Sequence, residues 1–310
     1  MYRFIDLFAG IGGFHLAFHR AGAKCVFASE WDEYARKTYE TNWKNITPEL
    51  FVDNFAGDIT KVDEVTIPDF EIITGGFPCQ PFSNAGQKRG FGDHRGTLFH
   101  DIVRIMKEKK PKAFFLENVS HLLKHDNGKT FEIIKNTIEK ELGYSFFYKI
   151  VKASDFNLPQ HRARLFMVGF KDKNINFSFP EPVPLTKTMA DIWNGKCEKK
   201  IGYTLRVGGR GSGIHDRRNW DSYLVDGDVK KLSPIQGKKM MGFPDDFVFP
   251  VSEAQAMKQL GNSVAVNAIE AVAKQLINTL KLYDSRKQGR VERVLRFSKN
   301  TDRREAVLIR

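Results

Sequence analysis

The strongest constraint on this chain is an alternation of short apolar runs with amphipathic segments over its first 170 residues. Tyr2–Phe8 reads as an apolar strand, a glycine turn follows, and a helix pattern runs from Gly13 to Ala21. Lys24–Ser29 is a second strand and Asp32–Trp43 a second helix, with Asp32 in the N-cap position. Glu71–Thr74 and Ala113–Leu116 are further strands, separated by a loop at 83–97 and a helix near Leu98–Lys109. Lys129–Leu142 reads as a helix, and Phe146–Ala153 and Arg164–Phe170 as a late pair of strands. Such alternation favours an α/β fold: a mostly parallel, doubly wound sheet with helices on both faces.

The pattern breaks at Lys171. Pro180-Glu181-Pro182-Val183-Pro184 is a linker signal, and residues 185–230 show little periodicity. Gly202, Gly208, Gly209, Gly211 and Gly213 crowd a twelve-residue window around Arg206 and Arg210. A helix pattern returns at Val264–Leu280, after Gly261-Asn262-Ser263. A chain of 310 residues holds one large domain and a smaller one, so the break reads as an insert after which the chain completes the first domain.

Charge marks the same regions. The net charge is +12, and residues 196–239 carry eleven Lys/Arg against five Asp/Glu. Residues 281–310 carry ten against four, and the remainder balances. Localised positive charge is an electrostatic footprint for a polyanion, with nucleic acid the leading candidate for 196–239. For the tail, a solvated surface and a phosphate grip are equal alternatives. Met1-Tyr2-Arg3 runs directly into a strand pattern, so no signal peptide is expected. No apolar run approaches about 18 residues, so no membrane span is expected either. Three cysteines make no disulfide framework, and a reducing compartment follows, with Cys25 and Cys197 as plain thiols.

Cys79 stands in Gly75-Gly76-Phe77-Pro78-Cys79-Gln80-Pro81-Phe82-Ser83, just past a strand pattern and ahead of a glycine-rich loop. That places a thiol at the carboxyl edge of a sheet, where open α/β folds build their sites. Glu117 ends a second strand pattern and precedes Asn118-Val119. A thiolate and a carboxylic acid at neighbouring strand ends suit addition to an electron-poor ring with protonation of that ring. The bland alternatives are a buried structural cysteine and a helix-capping carboxylate. His121 and His125 are four apart without a third ligand in view, so they read as surface or loop histidines and no metal site is expected.

A second constellation sits at the start. Asp6-Leu7-Phe8-Ala9-Gly10-Ile11-Gly12-Gly13 follows a strand and opens a helix, so backbone amides can approach a ligand closely. The dinucleotide fingerprint wants glycine at 15, where His15 stands, so the match to NAD binding is weak. Glu30 closes the second strand, placed to accept from two ribose hydroxyls, with Trp31 beside it as a flat face for adenine. Asp58-Ile59 follows a further strand and can hold the adenine amino group. Together these suggest an adenosine-containing cofactor without a diphosphate.

With these residues on the page, the chain resembles the bacterial DNA (cytosine-5)-methyltransferases over most of residues 2–280. The matching segments are Asp6–Phe14, Glu30-Trp31, Gly76–Ser83, Arg95-Gly96-Thr97-Leu98-Phe99, Glu117-Asn118-Val119, Gln160-His161-Arg162-Ala163-Arg164 and Gln259-Leu260-Gly261-Asn262-Ser263-Val264, in the family's order. The resemblance implies a Rossmann-like S-adenosylmethionine-dependent methyltransferase fold with a small target-recognition domain. The expected division is 1–174 catalytic and cofactor-binding, 175–232 target recognition, 233–282 a return segment, and 283–310 a basic tail. The tail lies beyond the family pattern: a disordered extension, a phosphate arm or an appended remnant.

The resemblance also implies roles. Cys79 adds to C6 of cytosine, and Glu117 holds the N3 and amino edge, oriented and packed by Asn118 and Val119. Arg164 contacts the cytosine O2, and Arg162 buttresses the loop or Glu117, with surface salt-bridging as its bland alternative. Phe8, Gly10, Gly12, Gly13, Glu30, Trp31, Asp58, Ile59, Pro78, Leu98, Asn262 and Ser263 surround S-adenosyl-L-methionine, released as S-adenosyl-L-homocysteine. The target base must swing out of the duplex to be reached. Gly86, Gly90, Gly92 and Gly96 supply hinges for a closing loop at 83–97, or belong to an ordinary mobile surface loop. Ser83, Lys88, Arg89, Arg95, Arg206, Arg210, Arg217 and Arg218 are the expected DNA contacts.

The implied protein is a cytoplasmic bacterial monomer, nucleoid-associated through DNA. Its setting is restriction–modification beside a separate endonuclease, or orphan methylation. Two rivals stand beside it. A transfer-RNA branch shares the core residues but carries a Cys-Phe-Thr signature that this chain lacks. A catalytically dead DNA-binding homologue should lose Cys79, Glu117 or the glycine turn, and all are intact.

Overall fold

The structure, a computed structural model, describes residues 1–78, 98–209 and 211–305. The first strand, β1 (Arg3–Leu7), is followed by α1 (Gly13–Arg20), β2 (Lys24–Ser29), α2 (Glu33–Trp43), a short α3 (Leu50–Asp53) and β3 (Phe55–Ala56). Then come β4 (Ile72–Gly76), α4 (Leu98–Lys109), β5 (Ala113–Val119), α5 (Lys129–Asn136), β6 (Phe147–Lys152) and β7 (Ala163–Phe170). The insert contributes α6 (Met189–Trp193) and a hairpin of β8 (Ser222–Val225) and β9 (Asp228–Lys231). The chain closes with α7 (Pro234–Met241), α8 (Glu253–Asn262) and α9 (Val266–Glu305).

Seven strands form one sheet in the order β3-β2-β1-β4-β5-β7-β6. The pairs from β3 to β5 are parallel, and β7 runs antiparallel to both β5 and β6. Period-two alternation divides the core into two layers. Phe4, Ile72, Phe115, Phe166 and Val168 face α1, α2 and α9. Ile5, Ile73, Phe114, Leu116, Leu165 and Met167 face α4 and α5. No helix among the described residues is long and apolar enough to cross a membrane.

Several boundaries differ from the sequence expectation. The helix expected over 129–142 ends at Asn136 and continues as a wider π-type turn, Thr137–Glu141. The last helix starts at Val266, two residues late, and does not stop near 280. Leu280 is buried in the core and the partly buried Tyr283 packs against it, and the sequence beyond contains no proline to break the hydrogen-bond ladder. Asp284 then accepts from the Tyr2 hydroxyl at 2.8 Å and from Lys112 Nζ at 2.7 Å, so the helix crosses the expected boundary at 282 while pinned to the sheet.

The insert has no separate core among the described residues. Met189, Ile192, Trp220, Tyr223, Val225 and Leu232 are buried in the same cluster as Met240, Met241 and Leu260 of the return segment. A segment this short cannot bury enough apolar surface alone, and it borrows the main domain's.

Beneath the first turn lies a buried polar group. The His15 ring stacks on Trp43 at 3.9 Å, and its Nδ1 is 2.7 Å from the Tyr39 hydroxyl. Burial pushes this imidazole down to about 3, so it is neutral in the fold. The unfolded chain protonates it below its ordinary 6.5. Its contribution to stability is therefore complete above 6.5 and is lost as pH falls from 6.5 toward 3. His15→Gln is expected to flatten the pH dependence of the melting temperature across that window, checked by thermal melts in a buffer series.

Candidate active site

The first turn forms because β1 ends abruptly. Phe8 has φ 56°, Gly10 φ 56° and Gly12 φ 87°, so the chain doubles back into α1. A positive φ on a phenylalanine is strain of the kind that clusters at functional sites. Asp6, buried at the strand end, accepts the His15 amide and the Thr74 hydroxyl, and burial pushes its carboxyl well above the usual range. A side chain at Gly12 would collide with the Trp43 indole, its Cβ falling 2.2 Å from Nε1. At Gly13 a Cβ would fall 2.6 Å from Val264 and 3.2 Å from the Ser263 hydroxyl. The return segment thus forms the floor of the turn.

Glu30, at the end of β2, is the post around which the turn is hung. Its Oε2 accepts the Gly10 amide at 2.7 Å and its Oε1 accepts the Asp32 amide at 2.9 Å. Burial raises its carboxyl, and those amides pull it back. With the Trp31 amide as a third partner, the carboxylate still has acceptor capacity for a hydroxyl donor. Trp31 beside it is 81% exposed. Asp58 caps a short 3-10 turn, its Oδ1 accepting from the Thr60 amide and hydroxyl, and only that oxygen is engaged among the described residues. Ile59 is buried in the core, and its carbonyl accepts from Arg104 at 2.6 Å, so it supports Asp58 from beneath. A Cβ at Gly10 would meet nothing within 4 Å, so the turn has an open face beside Glu30 and Phe8. An acid with acceptor capacity, a flat exposed indole and an open glycine turn fit an adenosine-bearing ligand.

The second group stands at the ends of β4, β5 and β7. Gly76 pairs with Glu117, and Glu117 pairs with Phe166 on the other side. Alternation puts Glu117 on the Phe115 face and Arg164 on the Phe166 face, which are the same face of the sheet. Arg164 Nε lies 3.1 Å from Glu117 Oε1, with both side chains largely buried. Burial raises the Glu117 carboxyl above its ordinary value, and Arg164 and then Arg162 oppose the rise. A carboxyl poised upward can donate a proton nearer neutrality.

Asn118 does not orient Glu117 directly. Its Nδ2 donates to the Phe77 carbonyl at 2.9 Å, and its Oδ1 accepts the Val119 amide at 2.8 Å. It fixes the strand exit that leads to Pro78, which is exposed at the edge of the site. Val119 is 39% exposed at the strand exit. Arg162 bears electrostatically on Glu117, and its guanidinium donates to the carbonyls of Gly261 and Ser263. Burial and the neighbouring Arg164 pull it down to about 9, still charged at neutral pH. It is a buried clamp on the segment holding Asn262 and Ser263, not a surface salt bridge. Leu98 opens α4, half-buried against the second core layer.

Cys79, Ser83, Lys88, Arg89, Arg95 and Arg210 lie outside the described residues, as does the loop with Gly86, Gly90, Gly92 and Gly96. Of the other arginines expected to meet DNA, Arg206 and Arg217 are exposed, while Arg218 is engaged with Asp216 at 2.8 Å. Two residues given no role from sequence, Gln160 and Gly261, prove to be buried junctions beside this site. Their signal in the sequence was membership of the Gln160–Arg164 and Gln259–Val264 segments.

A family model described as C-5 cytosine-specific DNA methylase matches residues 2–207 and 198–278. The Type II methyltransferase M.SsoII of Shigella sonnei is 45% identical over a 315-residue alignment, covering 90% of this chain and 81% of that protein. M.HhaI of Haemophilus parahaemolyticus, also a Type II methyltransferase, is 41% identical over 319 aligned residues, covering 90% and 95%. Among solved structures, a putative DNA modification methyltransferase from an Escherichia coli prophage superposes with TM-score 0.66 at 22% identity, covering 91% of this chain and all of that one. The S. pombe Dnmt2 methyltransferase superposes with TM-score 0.68 at 18% identity, covering 90% and 99%; these two likenesses concern the fold.

Replacing the buried clamp should be costly and replacing the exposed pair should not. Arg162→Met strands two carbonyls and is expected to destabilise the fold by about 1–3 kcal/mol. Arg218→Ala should leave the unfolding midpoint essentially where it was. Paired urea titrations check both.

Proposed function

The chain belongs to the C-5 cytosine-specific DNA methylase family and methylates carbon 5 of cytosine in DNA with S-adenosyl-L-methionine as donor; we propose how its residues divide that work. The observation that carries the proposal is the buried Glu117–Arg164 pair, set on one sheet face beside the strand exit that leads through Pro78 to Cys79.

Carbon 5 of cytosine is a poor nucleophile. Addition of the Cys79 thiolate to C6 breaks the ring's aromaticity and makes C5 enamine-like. A free thiol titrates near ~8.5, so the site must favour the thiolate. Glu117 holds the N3 and amino edge and delivers a proton to N3 as negative charge develops there. Arg164 aligns Glu117 before the base arrives and reaches the O2 edge once it has. Once C5 carries the new methyl group, loss of its proton expels the Cys79 thiolate from C6 and restores the ring. Bound S-adenosyl-L-methionine supplies an electrophilic methyl group on a positively charged sulfur. Glu30 would hold its ribose hydroxyls, Trp31 and Phe8 its adenine faces, and Asp58 the adenine amino group. Gly10, Gly12 and Gly13 would line its tail beside Asn262, Ser263, Pro78 and Leu98.

The rest of the chain is assigned to DNA. We infer that residues 175–232 read a short duplex site, with Arg206, Arg210 and Arg217 meeting base edges or phosphates. Ser83, Lys88, Arg89 and Arg95 are assigned to contacts with the DNA around the extruded base. The protein acts as a monomer, since one flipped base occupies one catalytic site. Its setting is Type II modification beside a separate endonuclease, a reading supported by the names of its relatives.

Transfer of labelled methyl to mixed-sequence duplex DNA tests this, with transfer RNA as a parallel substrate. Label should appear as 5-methylcytosine in DNA and vanish in Cys79→Ser. Glu117→Gln should retain donor binding and lose about 10²–10⁴-fold in turnover. Label confined to RNA, or Cys79→Ser as active as the parent, would overturn the assignment.

A further inference from the structure

Three stretches of chain meet in one seam behind the base pocket. The first is Pro159–Arg164, which enters β7 and ends on the arginine paired with Glu117. The second is Gly202–Val207, the part of the insert that leads into its exposed arginines. The third is Leu260–Ser263, at the end of α8.

Backbone bonds stitch the first two. Gly202 donates to the Pro159 carbonyl at 2.8 Å, and His161 donates to the Gly202 carbonyl at 2.8 Å, forming a short parallel bridge. The Thr204 hydroxyl adds a bond to the His161 carbonyl. The Gln160 side chain, fully buried, then joins the insert to the return segment. Its Oε1 accepts the Leu205 amide at 3.2 Å, and its Nε2 donates to the Met240 carbonyl at 3.1 Å. One amide thus satisfies two backbone groups from different parts of the chain.

Gly261 closes the seam on the other side. A Cβ there would lie 2.6 Å from the Arg206 carbonyl carbon, 2.7 Å from its oxygen and 2.9 Å from the Val207 amide nitrogen. These are backbone atoms, so no rotamer change relieves the collision. The Gly261 carbonyl is also held by Arg162, two residues before Arg164. The backbone of Arg206 is therefore fixed, through Gly261 and Arg162, to the strand that aligns Glu117.

We propose that Gln160 and Gly261 are positioning residues that hold the insert's reading loop in register with the base pocket, so that target recognition and base capture share one rigid frame. The inference rests on the assignment of residues 175–232 to DNA reading. Neither residue touches the reacting atoms. Each acts through the backbone it holds, Leu205 and Arg206 on one side and Arg162 on the other.

The test uses the full chain, labelled S-adenosyl-L-methionine and a pool of duplexes of randomised sequence, with methylated positions mapped by deamination sequencing. Wild-type protein, Gly261→Ala and Gln160→Met are compared, each checked for folding by its melting temperature. Both variants should broaden the sequence preference, and Gly261→Ala should lose about tenfold to hundredfold in turnover on the preferred site, as misplacement of a site by a fraction of an ångström does. Gln160→Met, farther from the donor residues, should keep wild-type donor affinity. If the folded variants keep the wild-type preference, whether rates are unchanged or fall equally on every sequence, the proposal is overturned and the seam is only structural. Should Gly261→Ala fail to fold, Gln160→Met decides on the same ratio of sites. Wild-type protein that labels no duplex overturns the DNA assignment itself, a result visible before any variant is compared.

Discussion

The ion pair between Glu117 and Arg164 is the interaction on which the site's architecture turns. A buried carboxylate is costly unless a cation is held against it, and the cation must itself be held. The antiparallel pairing of β5 with β7 meets the first need by bringing strands from distant parts of the sequence to one edge with both side chains on one face. Arg162 extends the arrangement into the return segment. The one reversed pairing next to an otherwise parallel half-sheet is thus the element that lets an acid and its partner stand together.

The glycine turn after β1 obeys a related logic. Glu30 is buried, yet both of its oxygens are met by backbone amides from the turn and from α2. The acid organises the loop before any ligand arrives, which lowers the ordering cost of binding. Asp6 does the same for the first turn of α1.

Much of this was legible in the sequence. Strand and helix alternation predicted the sheet and its helices, because period two and period 3.6 leave distinct marks on apolar residues. Asp32 as an N-cap was readable from its position, and its side chain accepts the Ala35 amide at 3.0 Å. The placement of Glu117, Glu30 and the glycine turn at strand ends followed from the same pattern. What stayed hidden depends on long-range contacts. Asn118 turned out to hold the Phe77 carbonyl rather than Glu117, and Arg162 to hold carbonyls about a hundred residues away. Nothing local distinguishes an asparagine that orients its neighbour from one that reaches across a sheet. The insert's dependence on the main core was likewise invisible, since apolar residues such as Trp220 and Met189 do not declare which layer they will join.

The turn at Gly10–Gly13 rests on Ser263 and Val264, and β1 is tied to α9 through Tyr2 and Asp284. During synthesis the first strand leaves the ribosome long before either partner exists. The opening βαβ units can collapse early, since their contacts are local, but the floor of the glycine turn is supplied only when Ser263 and Val264 emerge. A nascent or truncated chain therefore carries the sequence of a donor-binding turn without its support. Support for the turn arrives only when residues 263–284 fold back onto the first strand.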